Sequence, residues 1–245
     1  ADAERRQARA RQLAGSLEPD GAPESEPRPQ ADDATVIDIR RVSPELVILR
    51  TSKPAELRYA AGQSVKLGVA GVRRRYSLAS APADAYLEFF IELRPGGAMS
   101  AVLERLRVGD LVAVDAPKGD LRLDPDAEYH LMLATVTGVS PFLSLLRDHW
   151  QRAGEELRAV LVHGASYQGE HGYIDKLTEL VTAHSGELVY MPTVSRPQES
   201  VNADWAGATG RVETWVEPLL ERYGLTPGDT CLYACGHPQM VAGIA

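Results

Sequence analysis

The chain has 245 residues, of which 44% are hydrophobic and 24% are charged, a composition typical of a globular protein with one large domain or two of ordinary size. Its formal net charge of −8 at pH 7 argues against a nucleic-acid or anionic-membrane partner. No apolar run approaches the roughly 20 residues that a membrane span needs. Cys231 and Cys235 are the only cysteines, which predicts no disulfide framework and no metal site and suits the cytoplasm.

Residues 1–33 have a biased composition. The first 17 residues are rich in Ala, Arg, Gln and Glu and predict a short polar helix. Residues 18–33 carry four prolines and many acidic side chains, with almost nothing to bury. The segment has no apolar stretch that resembles a secretory signal. We interpret it as a flexible tether or a peripheral strap.

A series of short strands begins near residue 34. Apolar residues separated by turn residues predict strands at 35–39, 46–49, 64–69, 87–93 and 111–114. Another strand is predicted around residues 74–80, and a single helix at 99–106 follows a Gly-Gly turn. Many short strands with turn punctuation indicate a small antiparallel β-barrel, which we assign to residues 34–125.

The pattern changes to strand–helix alternation from residue 129. Strands are predicted at 130–134, 158–163, 188–192 and 230–234, and helices at 141–153, 173–184 and 213–223. This alternation predicts a parallel sheet that is covered on both faces by helices. We assign the α/β domain to residues 126–245, with a boundary near 123–128.

The stretch at 74–80 is the most informative part of the barrel half. Arg74 and Tyr76 are two residues apart and share one face of a strand, whereas Ser77 projects to the other. An anionic ligand with a planar ring would use the guanidinium, the ring and the hydroxyl together. The alternative is an amphipathic edge strand with solvated arginines, because residues 73–75 form a charge run.

Two further segments of the barrel half predict ligand contacts. Residues 88–93 form a strand whose backbone could meet a ring system. The glycines at 96–97 lead directly into a helix, where free N–H groups favour phosphate and Ser100 could donate to it. The alternative is that Ser100 is only a helix N-cap.

The α/β half carries three motifs that follow predicted strands. A small-residue loop at 134–141 ends in Pro141, which opens a helix, and such loops bind ligands at the carboxyl ends of strands. Cys235 follows the last strand and is either a side chain at the mouth of the sheet or a buried core cysteine. Arg196 and Arg211 follow two other segments and either bind an extra phosphate or are solvated surface arginines.

The order of these motifs resembles the ferredoxin–NADP reductase family, especially its bacterial branch. The motifs are Arg-x-Tyr-Ser at 74–77, Gly-Gly-x-Met-Ser at 96–100, Thr-Gly-Val-Ser-Pro at 137–141, Ser-Arg at 195–196, Gly-Arg-Val at 210–212 and Cys-Gly-x-Pro-Gln-Met at 235–240. The resemblance implies an FAD-binding β-barrel domain followed by an NAD(P)-binding α/β domain.

The resemblance also implies roles for individual residues. Ser77 near the flavin N5 and Cys235 beside the nicotinamide C4 would be the catalytic residues. Arg74 would hold the flavin diphosphate, Tyr76 would pack on the isoalloxazine, and Thr137 would lie where flavin and nicotinamide meet. The other residues implied in cofactor binding are Arg75, Phe90, Ile91, Glu92, Leu93, Gly97, Ala98, Met99, Ser100, Gly138, Gly236, Pro238 and Gln239, with Ser195, Arg196 and Arg211 around the adenosine 2′-phosphate.

The implied activity is electron transfer from NADPH, or NADH, through FAD to a one-electron carrier. The carrier would be an iron–sulfur protein (ferredoxin) or a flavodoxin, because this chain has no cysteine-rich segment of its own. One alternative is the reductase module of a multicomponent oxygenase, since residues 18–33 resemble an inter-domain tether. Another is a non-catalytic FAD-binding subunit of a larger complex.

Three departures from the family pattern are visible. Val136 stands where the first glycine of a Gly-Thr-Gly loop is usual, which predicts crowding of the dinucleotide or a shifted backbone. Ser166 stands where an arginine is common, so one expected 2′-phosphate contact is missing. The chain ends at Ala245, whereas relatives continue with a helix and often an aromatic tail that covers the flavin, so the resemblance implies either a truncated chain or an unusually open flavin.

Overall fold

The computed structural model describes residues 32–152 and 156–244. The predicted helix at 1–17 and nearly all of the predicted tether therefore lie outside the described residues. The chain divides into two compact units between Asp120 and Leu121, a few residues before the boundary that the sequence predicts. Within the described ranges, no helix has both the length and the hydropathy needed to span a membrane.

The first unit is a six-stranded antiparallel sheet with one short helix. Its strands and helix are β1 (Asp32–Ser43), β2 (Leu46–Ser52), β3 (Ser64–Val69), β4 (Val72–Ser77), β5 (Tyr86–Glu92), α1 (Ala98–Leu103) and β6 (Leu111–Val114). The strand order is β4-β3-β6-β1-β2-β5, and every pairing is antiparallel. The predicted antiparallel architecture is confirmed, and β1 begins at Asp32, before the predicted start at residue 34.

The single helix of this unit is shorter than the sequence predicts. It ends at Leu103 rather than at residue 106, because the next residues form tighter turns. The N–H groups of Arg105 and Leu106 donate to carbonyls three residues earlier, at 3.1 and 3.2 Å. Leu103 and Leu106 are both buried in the core of the unit, so the turn keeps the apolar face that the pattern predicts.

The two end strands of the sheet, β4 and β5, approach each other just beyond β4. There the N–H of Ala79 donates to the carbonyl of Glu88 at 2.8 Å. Among the described residues, no backbone hydrogen bond joins 72–77 to 89–92. The barrel is thus closed at Ala79 and Glu88 and open along the rest of this seam.

The second unit is a five-stranded parallel sheet with helices between its strands. Its elements are β7 (Tyr129–Thr135), α2 (Val139–Gln151), β8 (Ala159–Ala165), α3 (Ile174–Ala183), β9 (Leu188–Val194), β10 (Ala208–Thr209), α4 (Val216–Tyr223), β11 (Thr230–Cys235) and α5 (Pro238–Ile244). The strand order is β10-β9-β8-β7-β11, and all pairs are parallel. The predicted parallel sheet is confirmed, while the two-residue β10 and helix α5 were not predicted.

The sequence of β7 and β8 explains why they occupy the middle of the sheet. Both strands are near-continuous apolar runs and are buried along almost their whole length, as strands covered on both faces must be. Because all strands run the same way, their carboxyl ends meet at one edge. The loops after β7, β8, β9 and β11 therefore lie along this edge, which brings the predicted motifs of this unit together.

Candidate functional site

Strand β4 carries the cation and the ring of the predicted flavin site. Val72 and Tyr76 pack against the core of the first unit, so Arg74, which lies between them in the alternation, is on the same face. Tyr76 is half-buried and Arg74 is exposed. Burial raises the pKa of the Tyr76 phenol, and the nearby positive charges of Arg74 and Arg94 lower it in part. The phenol is therefore uncharged and faces two guanidinium groups.

The three consecutive arginines have different partners. Arg73 pairs with Asp115. Arg75 lies on the opposite face from Tyr76 and donates to the carbonyl and the hydroxyl of Ser64 at 3.0 and 3.2 Å. Arg74 donates to the carbonyl of Arg73 at 2.8 Å, and within the described part of the chain it has no carboxylate partner. Only Arg74 thus combines the face of Tyr76 with an unneutralised charge.

The open seam between β4 and β5 offers backbone groups next to this cation. Among the described strands, β4 pairs only with β3 and β5 pairs only with β2, so each has one edge without a strand beside it. Strand edges present N–H and C=O groups that need partners. The hydroxyl of Ser77 also lies at the end of β4 without a hydrogen-bond partner among the described residues. A planar ring with polar edges fits such a seam.

Several predicted flavin contacts are available only through the main chain. The side chains of Phe90, Ile91, Leu93 and Met99 are buried, with exposed fractions of 4% or less. Glu92 alternates with them and is exposed, 3.4 Å from Arg94. On this strand the side chains build the core, so the part of β5 that can reach a ligand is the backbone edge away from β2.

The glycine turn before α1 is closed by a side chain. Gly97 is the N-cap of α1, and Ser100 lies inside the helix, so the alternative that Ser100 is the N-cap is wrong. The Ser100 hydroxyl instead accepts a hydrogen bond from the N–H of Arg94 at 2.7 Å. A Cβ on Gly97 would lie 3.0 Å from both the Arg94 carbonyl and this hydroxyl, so a side chain there would be crowded. Ala98, the first residue of α1, is exposed.

These features fit an FAD molecule. A flavin dinucleotide is an anion with a planar ring, and this unit offers an unneutralised Arg74, a half-buried phenol and a free backbone edge. Arg94 was missed by the sequence analysis. Its charge acts on Tyr76 although 18 positions separate them, and no local pattern signals that contact.

In the second unit, the loops after β7 and β11 are in direct backbone contact. A Cβ on Gly138 would lie 2.2 Å from the carbonyl oxygen of Cys235, and a Cβ on Gly236 would lie 2.0 Å from the hydroxyl of Thr135. That hydroxyl accepts a hydrogen bond from the N–H of His237 at 2.7 Å. Only glycine fits at 138 and 236, and the contact places Cys235 beside the loop that contains Thr137.

Val136 has a left-handed backbone, with φ of +44°. A β-branched residue is a rare occupant of this region, which glycine adopts without strain. Val136 therefore holds a backbone conformation that favours glycine. Crowding of the dinucleotide and a shifted backbone both stay predictions for this departure.

Cys235 ends β11 at the carboxyl edge of the sheet and is mostly buried. Burial raises the pKa of its thiol, so the group is neutral at pH 7. A neutral, polarisable sulfur is suited to packing beside a ring and is a poor nucleophile. Helix α5 starts three residues later with the exposed Pro238 and Gln239, which the sequence placed in a turn.

The segments after β9 and β10 carry the predicted 2′-phosphate contacts. Arg196 is exposed, donates to the hydroxyl of Tyr167 at 2.8 Å and lies over its ring at 5.5 Å. Arg211 follows β10 and is also exposed, 3.9 Å from Glu213. Ser195 donates its N–H to the carbonyl of Ala165 at 2.9 Å. The structure therefore brings Ser195, Arg196 and Arg211 to the same edge.

Two side chains that the sequence analysis missed hold these loops. Asn202 is buried and donates to the carbonyls of Ser166 and Arg196 at 3.0 and 2.9 Å. Glu170 accepts hydrogen bonds from the N–H groups of Ser166 and Tyr167 at 2.8 and 3.0 Å. The backbone N–H groups of Ser166 and Tyr167 are thus already bonded to a carboxylate. Asn202 and Ser166 are 36 positions apart in the sequence, so no local signal could identify this contact.

Comparison with known proteins assigns a different cofactor to each of the two units. The family model "Oxidoreductase FAD-binding domain" matches residues 33–123, and "Oxidoreductase NAD-binding domain" matches residues 132–245. The chain is therefore a two-domain oxidoreductase with an FAD-binding and an NAD-binding half.

Relatives narrow this class. The chain is 34% identical over 200 residues to the flavodoxin/ferredoxin–NADP reductase of Shigella flexneri, covering 76% of this chain and 77% of the relative. It is 30% identical to the toluate 1,2-dioxygenase electron transfer component of Pseudomonas putida, covering 86% of this chain and 61% of the relative. A solved ferredoxin NADP+ reductase from Neisseria gonorrhoeae with bound FAD and NADP superposes with a TM-score of 0.76 at 27% identity, covering 89% of each chain. The chain belongs to the ferredoxin–NADP reductase family.

Proposed function

We propose that this oxidoreductase takes electrons from NADPH and delivers them singly to a ferredoxin or a flavodoxin in the cytoplasm. Bound FAD supplies the chemistry, since a flavin accepts a hydride from a reduced nicotinamide and releases electrons one at a time. The protein contributes binding, orientation and charge. The presence of two free cysteines among the described residues supports a reducing compartment.

The first unit holds the flavin in this proposal. Arg74, assisted by Arg94, neutralises the diphosphate through charge-assisted hydrogen bonds. Tyr76 packs its ring against the flavin, and the Ser77 hydroxyl donates to a ring heteroatom. The remaining contacts come from the main chain of Arg75, Phe90, Ile91, Glu92, Leu93, Gly97, Ala98 and Met99, and from the Ser100 turn.

The second unit holds the nicotinamide nucleotide. Thr137, Gly138 and Gly236 form a narrow backbone cradle, and the neutral Cys235 thiol packs beside the nicotinamide ring. Pro238 and Gln239 close the same edge. Ser195, Arg196 and Arg211 receive the 2′-phosphate, and these two exposed guanidinium groups support NADPH as the donor. Ser166 stands where an arginine would add a 2′-phosphate contact, and its own N–H is already bonded to the Glu170 carboxylate. NADH therefore remains a competing donor.

One observation carries the proposal most directly. Arg74 is an exposed cation without a carboxylate partner in the described chain, and it shares a face with the half-buried Tyr76 at an open strand edge. On an ordinary surface strand, the backbone edge and the arginine would simply be solvated, with no half-buried aromatic ring beside them. The test is to purify the protein and record its absorption spectrum, then to mix it anaerobically with NADPH or NADH in a stopped-flow instrument. Flavin bands that bleach within seconds, faster with NADPH, are expected.

The same experiment separates the alternatives. Protein that takes up no FAD on reconstitution refutes the flavoenzyme assignment. Protein that holds FAD but is not reduced by either nucleotide is a non-catalytic FAD-binding subunit. Faster bleaching with NADH than with NADPH refutes the assigned donor and leaves the enzyme class intact.

A second candidate function is that of the reductase in a multicomponent oxygenase. It is supported by the 30% identity to a dioxygenase electron transfer component, of which this chain spans only 61%. The test compares one-electron reduction of ferredoxin, flavodoxin and an oxygenase-type iron–sulfur protein by the NADPH-reduced enzyme. The proposed function expects the first two to react faster, and preference for the third favours this second candidate.

A further inference from the structure

A buried histidine in β8 contacts the strained loop that follows β7. His163 is fully buried, and its Nε2 lies 2.9 Å from the carbonyl oxygen of Val136. Its Nδ1 lies 3.1 Å from the hydroxyl of Tyr190. A carbonyl can only accept, so Nε2 must carry the proton and donate, and Nδ1 must then accept from the phenol. The two contacts define one neutral tautomer.

The environment of His163 favours this neutral form. Burial, together with the neighbouring His171, lowers the pKa of the imidazole to about 3, although the bond to Val136 opposes the shift. His171 packs edge-on against it, with ring centroids 4.9 Å apart, and its Nε2 lies 3.0 Å from the carbonyl of His163. Tyr190 keeps its proton because burial raises its pKa. The donor on Nε2 is therefore present throughout the neutral pH range.

The contact falls on the peptide group where the loop is strained. Val136 has φ of +44°, and a conformation of this kind persists only when its surroundings hold it. The Val136 carbonyl also accepts the N–H of Val139, where α2 begins. Because a trans peptide has its C=O and N–H on opposite sides, fixing this carbonyl points the N–H of Thr137 away from the buried ring. Thr137 leads directly to Gly138, which contacts the backbone of Cys235.

We propose that His163 is a positioning residue for the nicotinamide nucleotide. Through its Nε2–H it holds the Val136 carbonyl, keeps Val136 left-handed and so keeps the loop of residues 135–138 in the shape that binds the nucleotide. This inference rests on the proposed function and adds to it a residue that does not touch the ligand.

The inference is tested with four single variants of the FAD-loaded protein and with the double variant that carries both Val136→Gly and His163→Leu. His163→Leu removes the donor, and His163→Gln keeps an N–H. Val136→Gly removes the strain, because glycine adopts this backbone freely. His130→Leu is the matched control, since His130 is also buried and bonded to a tyrosine, Tyr233, but lies at the amino end of β7. Calorimetry gives the dissociation constant for NADP+, and steady-state rates give KM and kcat separately.

The expected result is a pattern across these variants. His163→Leu raises the dissociation constant about tenfold, the effect of one lost buried hydrogen bond, and raises KM more than it lowers kcat. His163→Gln restores most of the affinity, and His130→Leu leaves it unchanged. In the Val136→Gly background, His163→Leu weakens binding by less than about threefold, because the loop no longer needs to be held.

Specific results overturn the inference. In one such result, His163→Leu weakens NADP+ binding equally in the wild-type and in the Val136→Gly background. That result shows that the histidine does not act on the strained peptide. If His163→Leu does not fold, ring ¹⁵N spectra of the wild-type protein decide, since protonation at Nδ1 instead of Nε2 removes the donor. Wild-type protein that binds neither NADP+ nor NAD+ refutes the proposed function itself. Tight binding by the wild type and by His163→Leu refutes only the positioning role.

Discussion

The substitution Gly138→Ala tests how much the reaction depends on the contact between the loops after β7 and β11. The added Cβ would lie 2.2 Å from the carbonyl oxygen of Cys235, whereas ordinary contact begins at 3.4 Å. The obstacle is backbone, which has no flexible end that could rotate away. The loop that carries Cys235 must therefore retreat by about 1.2 Å, the difference between these two distances.

A displacement of this size has a predictable effect on rate. Misplacement of a positioning group by about 1 Å lowers the rate of a step that depends on orientation by about 100-fold. We expect the rate of flavin reduction by NADPH to fall by about this factor. Overpacking of this kind lowers the free energy of unfolding by about 1–3 kcal/mol, so the variant is expected to fold.

The measurement is anaerobic stopped-flow bleaching of the flavin. The matched control is Gly228→Ala, at the amino end of β11, where the nearest atom to an added Cβ lies at 3.8 Å. Both variants are expected to keep the flavin spectrum, because neither change lies in the unit that holds FAD in our proposal. A folded Gly138→Ala protein that is reduced at the wild-type rate would falsify the view that the Cys235 loop must lie this close.

Two other predictions concern the neighbouring Arg74 and Arg75 and the buried His163. Arg74→Ala is expected to weaken FAD binding by about 10- to 100-fold, the loss of a charged hydrogen bond, as measured by the release of fluorescent flavin. Arg75→Ala, on the opposite face, is expected to change it less than about threefold, and equal losses would contradict the assignment of Arg74. For His163, the unfolded imidazole takes up a proton near pH 6.5 and the folded one near pH 3, so the unfolded state holds more protons between these values. The free energy of unfolding is expected to fall by about 2 kcal/mol from this group between pH 7.5 and pH 5.0 in urea titrations, and His163→Gln to remove that part. An identical pH dependence in the variant would show that His163 is not responsible.

The sequence predicted the order of the strands and helices well because burial leaves a local pattern. The apolar runs of β7 and β8 and the alternation along β3 are visible in ten residues or fewer. The motifs at 74–77 and 235–240 were likewise visible, because glycine, proline and arginine are needed at fixed spacing. Short elements such as β10 were missed, since two residues that pair with the end of β9 carry no periodicity.

The contacts that shape the site are non-local and were not predictable in this way. Arg94 faces Tyr76 across the seam, His163 reaches the carbonyl of Val136 from the neighbouring strand, and Asn202 bridges two loops. Each pairing depends on the register of the finished sheet. A lone buried histidine in an apolar strand gives no sign of whether it supports the core or a loop.

Val136 departs from the family pattern at a backbone conformation that favours glycine, and the cost of this departure is strain energy. The loop keeps the backbone of a glycine at φ of +44° and stores the strain, which for a left-handed L-residue is about 1–2 kcal/mol. Val136→Gly relieves this strain but makes the unfolded chain more flexible, at roughly 0.5–1 kcal/mol. We therefore expect a net gain of about 0.5–1 kcal/mol, seen as a rise of about 1–4 °C in Tm by calorimetry. A lower Tm would mean that packing of the half-buried valine side chain outweighs the strain of its backbone.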